Sequence, residues 1–151
     1  MWNLKPEERL HEWKSFRKSI SDLELEAALK SVAHLWSYAP YVAHYLSEDL
    51  LEEWPDPWTL VYENYYCDLA KALGMLYTVY LCDHYRQNIK QLELRVYKNT
   101  DNQDVVNVVW INRGKYILNL MFDTVVNKNL VDEKYQLKYK YDVNDLKLDL
   151  Y

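Results

Sequence analysis

Apolar residues recur every three or four positions up to about residue 81, and from Gln91 onward they recur every two. The first spacing is that of helices with one buried face, and the second is that of strands. Pro6 followed by Glu7 and Glu8 predicts a helix start running to about Lys18, since proline suits the first turn and carboxylates oppose the dipole's positive end. Ser21-Asp22-Leu23-Glu24 has the capping-box pattern, and Leu23, Ala27, Ala28, Val32, Leu35 and Trp36 continue it as a second helix that must stop before Pro40. Tyr41 to Leu46 is expected to add another turn or two of helix. In Trp54-Pro55-Asp56-Pro57-Trp58 the prolines stiffen the chain and Asp56 caps a helix beginning at Pro57. After a break near Asn64, Cys67 to Leu81 reads as a core helix, in which Ala70 and Gly74 leave a shallow strip for a close neighbour.

In the second half, Leu92, Leu94 and Val96 alternate with Glu93, Arg95 and Tyr97. Val105 to Ile111 and Lys115 to Phe122 are apolar on both faces, as strands covered on both sides are, and Asn112-Arg113-Gly114 joins them as a short hairpin. Tyr135, Leu137, Tyr139 and Tyr141 alternate with Lys134, Gln136, Lys138 and Lys140, a strand with one wet face. The expectation is an α+β domain spanning 1–151, its N-terminal helices (about 1–85) packed on a C-terminal antiparallel sheet (about 90–151).

Composition narrows the function. The chain has 151 residues with 18 Lys+Arg against 23 Asp+Glu, a formal charge of −5 that repels phosphate backbones, so no nucleic-acid binding through net charge is expected. Charges stand near the N-terminus where a signal peptide needs apolar residues, and no stretch is long enough for a membrane span, so a cytoplasmic protein is expected. Cys67 and Cys82 on one helix would lie about 22 Å apart, too far for a disulfide. The four histidines, His11, His34, His44 and His84, include no pair at the spacing of a helical zinc site. No metal or other cofactor is expected. The sequence holds 15 Tyr and 6 Trp against 2 Gly. These aromatics either line the core or form a docking surface, with Trp54, Trp58, Tyr65 and Tyr66 the candidate interaction residues.

A proline-containing aromatic lead, then a cysteine opening a core helix, then antiparallel strands, resembles the transglutaminase-like and papain-like cysteine enzymes. Trp54-Pro55-Asp56-Pro57-Trp58-Thr59-Leu60, Tyr66-Cys67-Asp68-Leu69-Ala70 and the hairpin around Gly114 carry the likeness, over residues 54–123. It implies a nucleophilic Cys67, a histidine on the first hairpin strand to take its proton and an acid on the next strand to orient that histidine. The sequence departs from this pattern: no histidine follows His84, and a turn centred on Arg113 sets Asn107 opposite Asn119 where the two partners belong. Neither amide can carry a proton near neutral pH, and an ordinary thiol, with a pKa of about 8.5, is little ionised there.

The run from Tyr66 to Gly74, the Trp54 to Trp58 segment and Tyr116-Ile117-Leu118-Asn119-Leu120 also resemble small proteins of tailed bacteriophages, including those of cyanobacteria. That resemblance implies a virus-encoded protein, located in the host cytoplasm or the virion. Three functions stay open, one of them an inhibitor of a host enzyme, which acidic charge and exposed aromatics would serve. Another is a non-catalytic interaction or assembly protein with protein partners in a multi-subunit structure, a pseudoenzyme whose degenerate site is Cys67, Asn107 and Asn119. The third is a cysteine hydrolase or acyltransferase using Cys67 with His44 or His84 recruited as base.

Overall fold

A computed structural model describes residues 1–43, 45–82, 88–146 and 148. Its helices are α1 (Pro6–Ile20), α2 (Leu25–Ser37), α3 (Pro57–Glu63) and α4 (Asp68–Tyr80). The strands β1 (Leu92–Asn99), β2 (Val105–Ile111), β3 (Tyr116–Leu118), β4 (Val125–Val126) and β5 (Tyr135–Asp142) form one antiparallel sheet in the order β4-β3-β2-β1-β5. The architecture is α+β, as the change of period predicts.

Helix α4 is the centre of the molecule. Leu69, Ala70, Ala72, Leu73, Met75, Leu76 and Val79 are all buried, so every face of it meets protein. One side lies on Leu94, Val109, Ile111 and Leu118 of the sheet, and the other meets α2, where the Trp36 ring sits directly over Gly74. The small-residue strip thus receives an indole. Trp13 of α1 and Trp36 both donate their indole N–H to the buried Thr78 hydroxyl at 2.9 Å, and that hydroxyl donates to the Gly74 carbonyl at 2.7 Å. Thr78→Val keeps the shape and orphans two buried donors. It should cost about 2–4 kcal/mol in urea unfolding, whereas Thr78→Ser, which keeps the oxygen, should cost far less.

Arg9 of α1 is buried, and its guanidinium donates to the Val61 and Tyr62 carbonyls at 3.1 and 3.0 Å and to the Leu4 carbonyl at 2.8 Å. A cation thus holds the carbonyl end of α3, where the dipole favours it. Asp56 caps the other end by accepting from the Thr59 amide at 2.8 Å. Asn64 then takes a left-handed conformation, φ 62°, and ends the helix.

Five local expectations are corrected. The Ser21 capping box does not form: α1 runs on to Ile20, the Ser21 hydroxyl donates back to the Arg17 carbonyl at 3.0 Å, and α2 begins without a side-chain cap. Tyr41 is extended and bridges Tyr66 in parallel instead of starting a helix. Strand β3 is only Tyr116–Leu118, because Asn119 turns left-handed at φ 69°. The hairpin pairs Val109 with Leu118, one residue off the expected register, so Asn107 and Asn119 are not cross-strand partners. On β5 a bulge at Lys138, between the pairs Tyr97–Leu137 and Val96–Tyr139, splits the expected single face. Tyr139 and Tyr141 therefore turn to the helical side, where Tyr141 donates to the Glu48 carbonyl at 2.6 Å.

The sheet's far face has its own small core of Tyr97, Val108, Trp110 and Ile117, partly covered by Leu120, Val126, Val131 and Tyr135. The Glu93–Arg95 ion pair, 2.8 Å, lies on that face, and the Arg95 guanidinium stacks over Trp110.

Candidate functional site

Cys67 occupies the N-cap position of α4, with an extended backbone and no capping bond from its side chain. It is 6 % exposed. Tyr66 before it is locked: its hydroxyl donates to the Leu60 carbonyl at 3.0 Å, and its own carbonyl accepts from the Val42 amide at 3.1 Å. The strand-like pairing of 41–42 with Tyr66 lays that segment alongside the approach to the thiol. Tyr45 follows, donating to the Glu63 carboxylate, with its ring against Tyr65. Burial pushes the Tyr45 phenol well above its ordinary pKa, as do the Glu63 carboxylate and, more weakly, the nearby Cys67.

Asp68, the first residue of α4, is the centre of the polar network. One carboxylate oxygen accepts from the Asn107 backbone N–H at 3.1 Å and from the Asn107 side-chain amide at 2.8 Å, and the other accepts from the Asn119 amide at 3.1 Å. Asn119 donates also to the Asn107 carbonyl at 2.9 Å. The geometry follows from the short β3. Beyond Leu118 no strand continues beside β2, so the Asn107 N–H and C=O need other partners, which Asp68 and Asn119 provide. Burial raises the Asp68 carboxyl's pKa, against the opposing pull of the Asn107 and Asn119 hydrogen bonds and the Lys71 charge. Lys71 donates to the Ser37 carbonyl at 2.9 Å and is shifted down by burial. Because the carboxylate can only accept, it fixes which way the Asn107 amide faces. Among the described residues the buried Asn107 side-chain oxygen has no hydrogen-bond partner.

The three positions singled out by the sequence, Cys67, Asn107 and Asn119, therefore converge, but on Asp68 and not on one another alone. Asp68 escaped the sequence reading because an acid in a first turn suits the helix dipole and needs no further role. The signal that could have found it is two asparagines expected on a covered sheet face, whose amides must have an acceptor.

His44 and His84 lie outside the described residues. His34 pairs with Asp123 at 3.0–3.1 Å, at an open cleft of about 740 Å³ lined also by Phe16, Lys30 and Val125. His11 is exposed on α1. Two of the candidate docking residues are corrected: Trp54 and Tyr66 are core residues. The Trp54 indole N–H is used on the Ser47 carbonyl at 2.8 Å, and its ring packs on Tyr141. Trp58 is half-buried, and Tyr65 is exposed.

A cysteine heading a buried helix, with that helix laid on an antiparallel sheet whose second and third strands bring polar groups to its first turn, defines a transglutaminase-like fold. Solved structures of Legionella pneumophila LapG share it. One matches with a TM-score of 0.72 at 12% identity, over 91% of this chain and 76% of LapG. The calcium-bound form gives 0.72 at 11% identity over 99% and 86%, and the EGTA-treated form 0.69 at 12% over 90% and 73%. At these identities the likeness is one of fold. No family model and no curated protein sequence matches the chain. Among the described residues no three His, Cys, Asp or Glu side chains come together to hold a metal. Nor, among the described residues, is any helix long and apolar enough to cross a membrane.

Proposed function

We propose that the chain is a cysteine-nucleophile protein of the hydrolase or acyltransferase type, with Cys67 as the attacking group. One observation carries the reading: Cys67 heads the buried helix of a transglutaminase-like fold, and Asn107 and Asn119 meet at the very next residue, Asp68. The first-turn amides of α4 have no carbonyl partners within the helix and favour negative charge at its start, which suits both a thiolate and the oxyanion of a tetrahedral intermediate. The sheet offers amides where proton transfer is needed, so a base, if used, comes from the helical half, with His44 or His84 the candidates.

The test is the rate of iodoacetamide labelling at neutral pH, followed separately at Cys67 and Cys82 by peptide mapping. Cys67 should react at least about ten times faster than a free thiol. If His44→Ala or His84→Ala slows labelling and removes an inflection near pH 6.5, that histidine is the base. A Cys67 rate no greater than that of glutathione sinks the reading.

That result would favour a second reading, a non-catalytic interaction protein. It is supported by the neutral amides at the proton-transfer positions and by exposed Tyr38, Tyr65 and Phe122, available to a protein partner.

A further inference from the structure

We propose that the tip of the β2–β3 hairpin binds a small multivalent oxyanion of the phosphate class, in a hollow whose polar lining is made almost wholly of donors. The hollow has a volume of about 320 Å³, and around Gly114 it is lined by Asn112, Arg113, Lys115, Asn127, Lys128 and Asn129. It lies at the opposite end of β2 from the Asp68 network, since five residues, about 17 Å of extended chain, separate Asn107 from Asn112. The hollow is therefore separate from Cys67 and owes nothing to the thiol's reactivity.

Charge singles the hollow out. Acids outnumber bases 23 to 18 along the chain, yet three cations and no carboxylate line this concavity. Asp123 and Asp132, which flank Lys128 in sequence, are engaged elsewhere, the first with the His34 ring and the second with the Lys134 backbone N–H. Among the described residues, Arg113, Lys115 and Lys128 form no ion pair. Like charges gathered at one loop repel, and an arriving anion relieves that repulsion.

The asparagines give a second, independent observation. Asn112 Oδ1 accepts from the Lys90 and Gln91 backbone N–H groups at 2.8 and 3.3 Å, and Asn127 Oδ1 accepts from the Asn129 N–H at 2.9 Å. With those oxygens used inside the protein, what Asn112 and Asn127 have left to offer is N–H. Of the six side chains only Asn129 keeps a free acceptor. An oxyanion with three or more acceptor oxygens suits a guanidinium, two ammonium groups and two amides better than a carboxylate, which has two. The frame exists before a ligand arrives. The Lys128 N–H donates to the Gly114 carbonyl at 2.8 Å, the Arg113 N–H donates to Gln91 Oε1 at 2.7 Å, and a β-carbon on Gly114 would lie only 2.7 Å from the Trp110 ring. The two segments that carry the cations are thus fixed to each other, which lowers the cost of binding.

The experiment titrates the isotope-labelled protein with sodium pyrophosphate at low ionic strength and follows amide shifts by NMR. Shifts should saturate with a Kd at or below about 1 mM, and should be largest at the Gly114 N–H and at the Asn112 and Asn127 side-chain amides. Arg113→Asn combined with Lys128→Gln should weaken binding about tenfold or more. Asparagine suits the left-handed backbone at position 113, φ 58°, so the hairpin keeps its shape. The charge-matched control, Lys14→Gln with Lys18→Gln on the exposed side of α1, should bind as the native protein does. Competition by glycerol phosphate would identify a phosphorylated small molecule as the source of the anion. Citrate binding as tightly as pyrophosphate would overturn the phosphate class. Equal weakening in both variant pairs, or no shift at Gly114 by about 10 mM pyrophosphate, would overturn the site itself. So would binding to vesicles containing phosphatidic acid without binding to pyrophosphate, which would make the hairpin tip a membrane contact instead.

Discussion

Gly74→Ala should cost about 3–5 kcal/mol and leave much of the chain unfolded at room temperature. A β-carbon at that position would lie 2.3–2.5 Å from three carbons of the Trp36 ring. Contacts that short require the ring or the helix to move, and overpacking in a tight core costs about 1–3 kcal/mol on its own. Trp36 cannot withdraw freely. Its ring is held edge-on by Trp2 and Tyr66 at 4.9 and 5.2 Å, and its indole N–H is committed to Thr78. Moving it breaks that buried hydrogen bond and reopens the space between α2 and α4, which adds the cost of an orphaned donor. Urea unfolding followed by tryptophan fluorescence measures the loss. A cost below 1 kcal/mol would mean that α2 slides on α4 more easily than this packing implies.

Asp68→Ala should be the most damaging change at the site itself, by about 3 kcal/mol, because it removes the acceptor of three N–H groups at once. Its pH dependence separates the carboxyl from the packing. Burial holds the native carboxyl above its unfolded value, so the folded protein binds this proton more tightly than the unfolded chain. The stabilisation linked to that proton is complete below about pH 4 and is lost as the pH rises through the native value. The cost of Asp68→Ala should therefore be greater near pH 4 than near pH 8. Urea midpoints of both proteins at the two pH values test this, and a cost that grows with pH would show that hydrogen bonding outweighs burial at Asp68.

What the sequence made legible was whatever depends on neighbours in the chain. Pro6, Pro57 and Asp56 mark helix starts because proline and a capping carboxylate act locally, and Cys67 is found at the head of the core helix for the same reason. The strip at Gly74 was also legible, although not that an indole fills it. The failures are tertiary. Ser21 has a capping pattern, but α1 extends and takes its hydroxyl first. Asn119 reads as one more residue of an apolar strand, yet its amide is drawn to Asp68 and the Asn107 carbonyl while its backbone turns left-handed, at a position where asparagine is tolerated. The register around Gly114 was missed by one residue because the loop spans Asn112–Lys115, with Asn112, Arg113 and Gly114 all at positive φ. Trp54 and Tyr66 look like docking residues by composition alone, but an aromatic ring whose polar atom is satisfied internally is free to be core.

The bulge at Lys138 has a further consequence for crowding in concentrated solution. β5 is the outer strand of the sheet, eight residues with no strand paired to its far side among the described residues, and such a margin invites a second molecule to add a strand. A newcomer would lose its ladder at the bulge, and a copy of β5 laid alongside would bring the ammonium groups of Lys134, Lys138 and Lys140 near their own kind. The kink that turns Tyr139 and Tyr141 to the helical face thus also works against fibril-like growth from this edge.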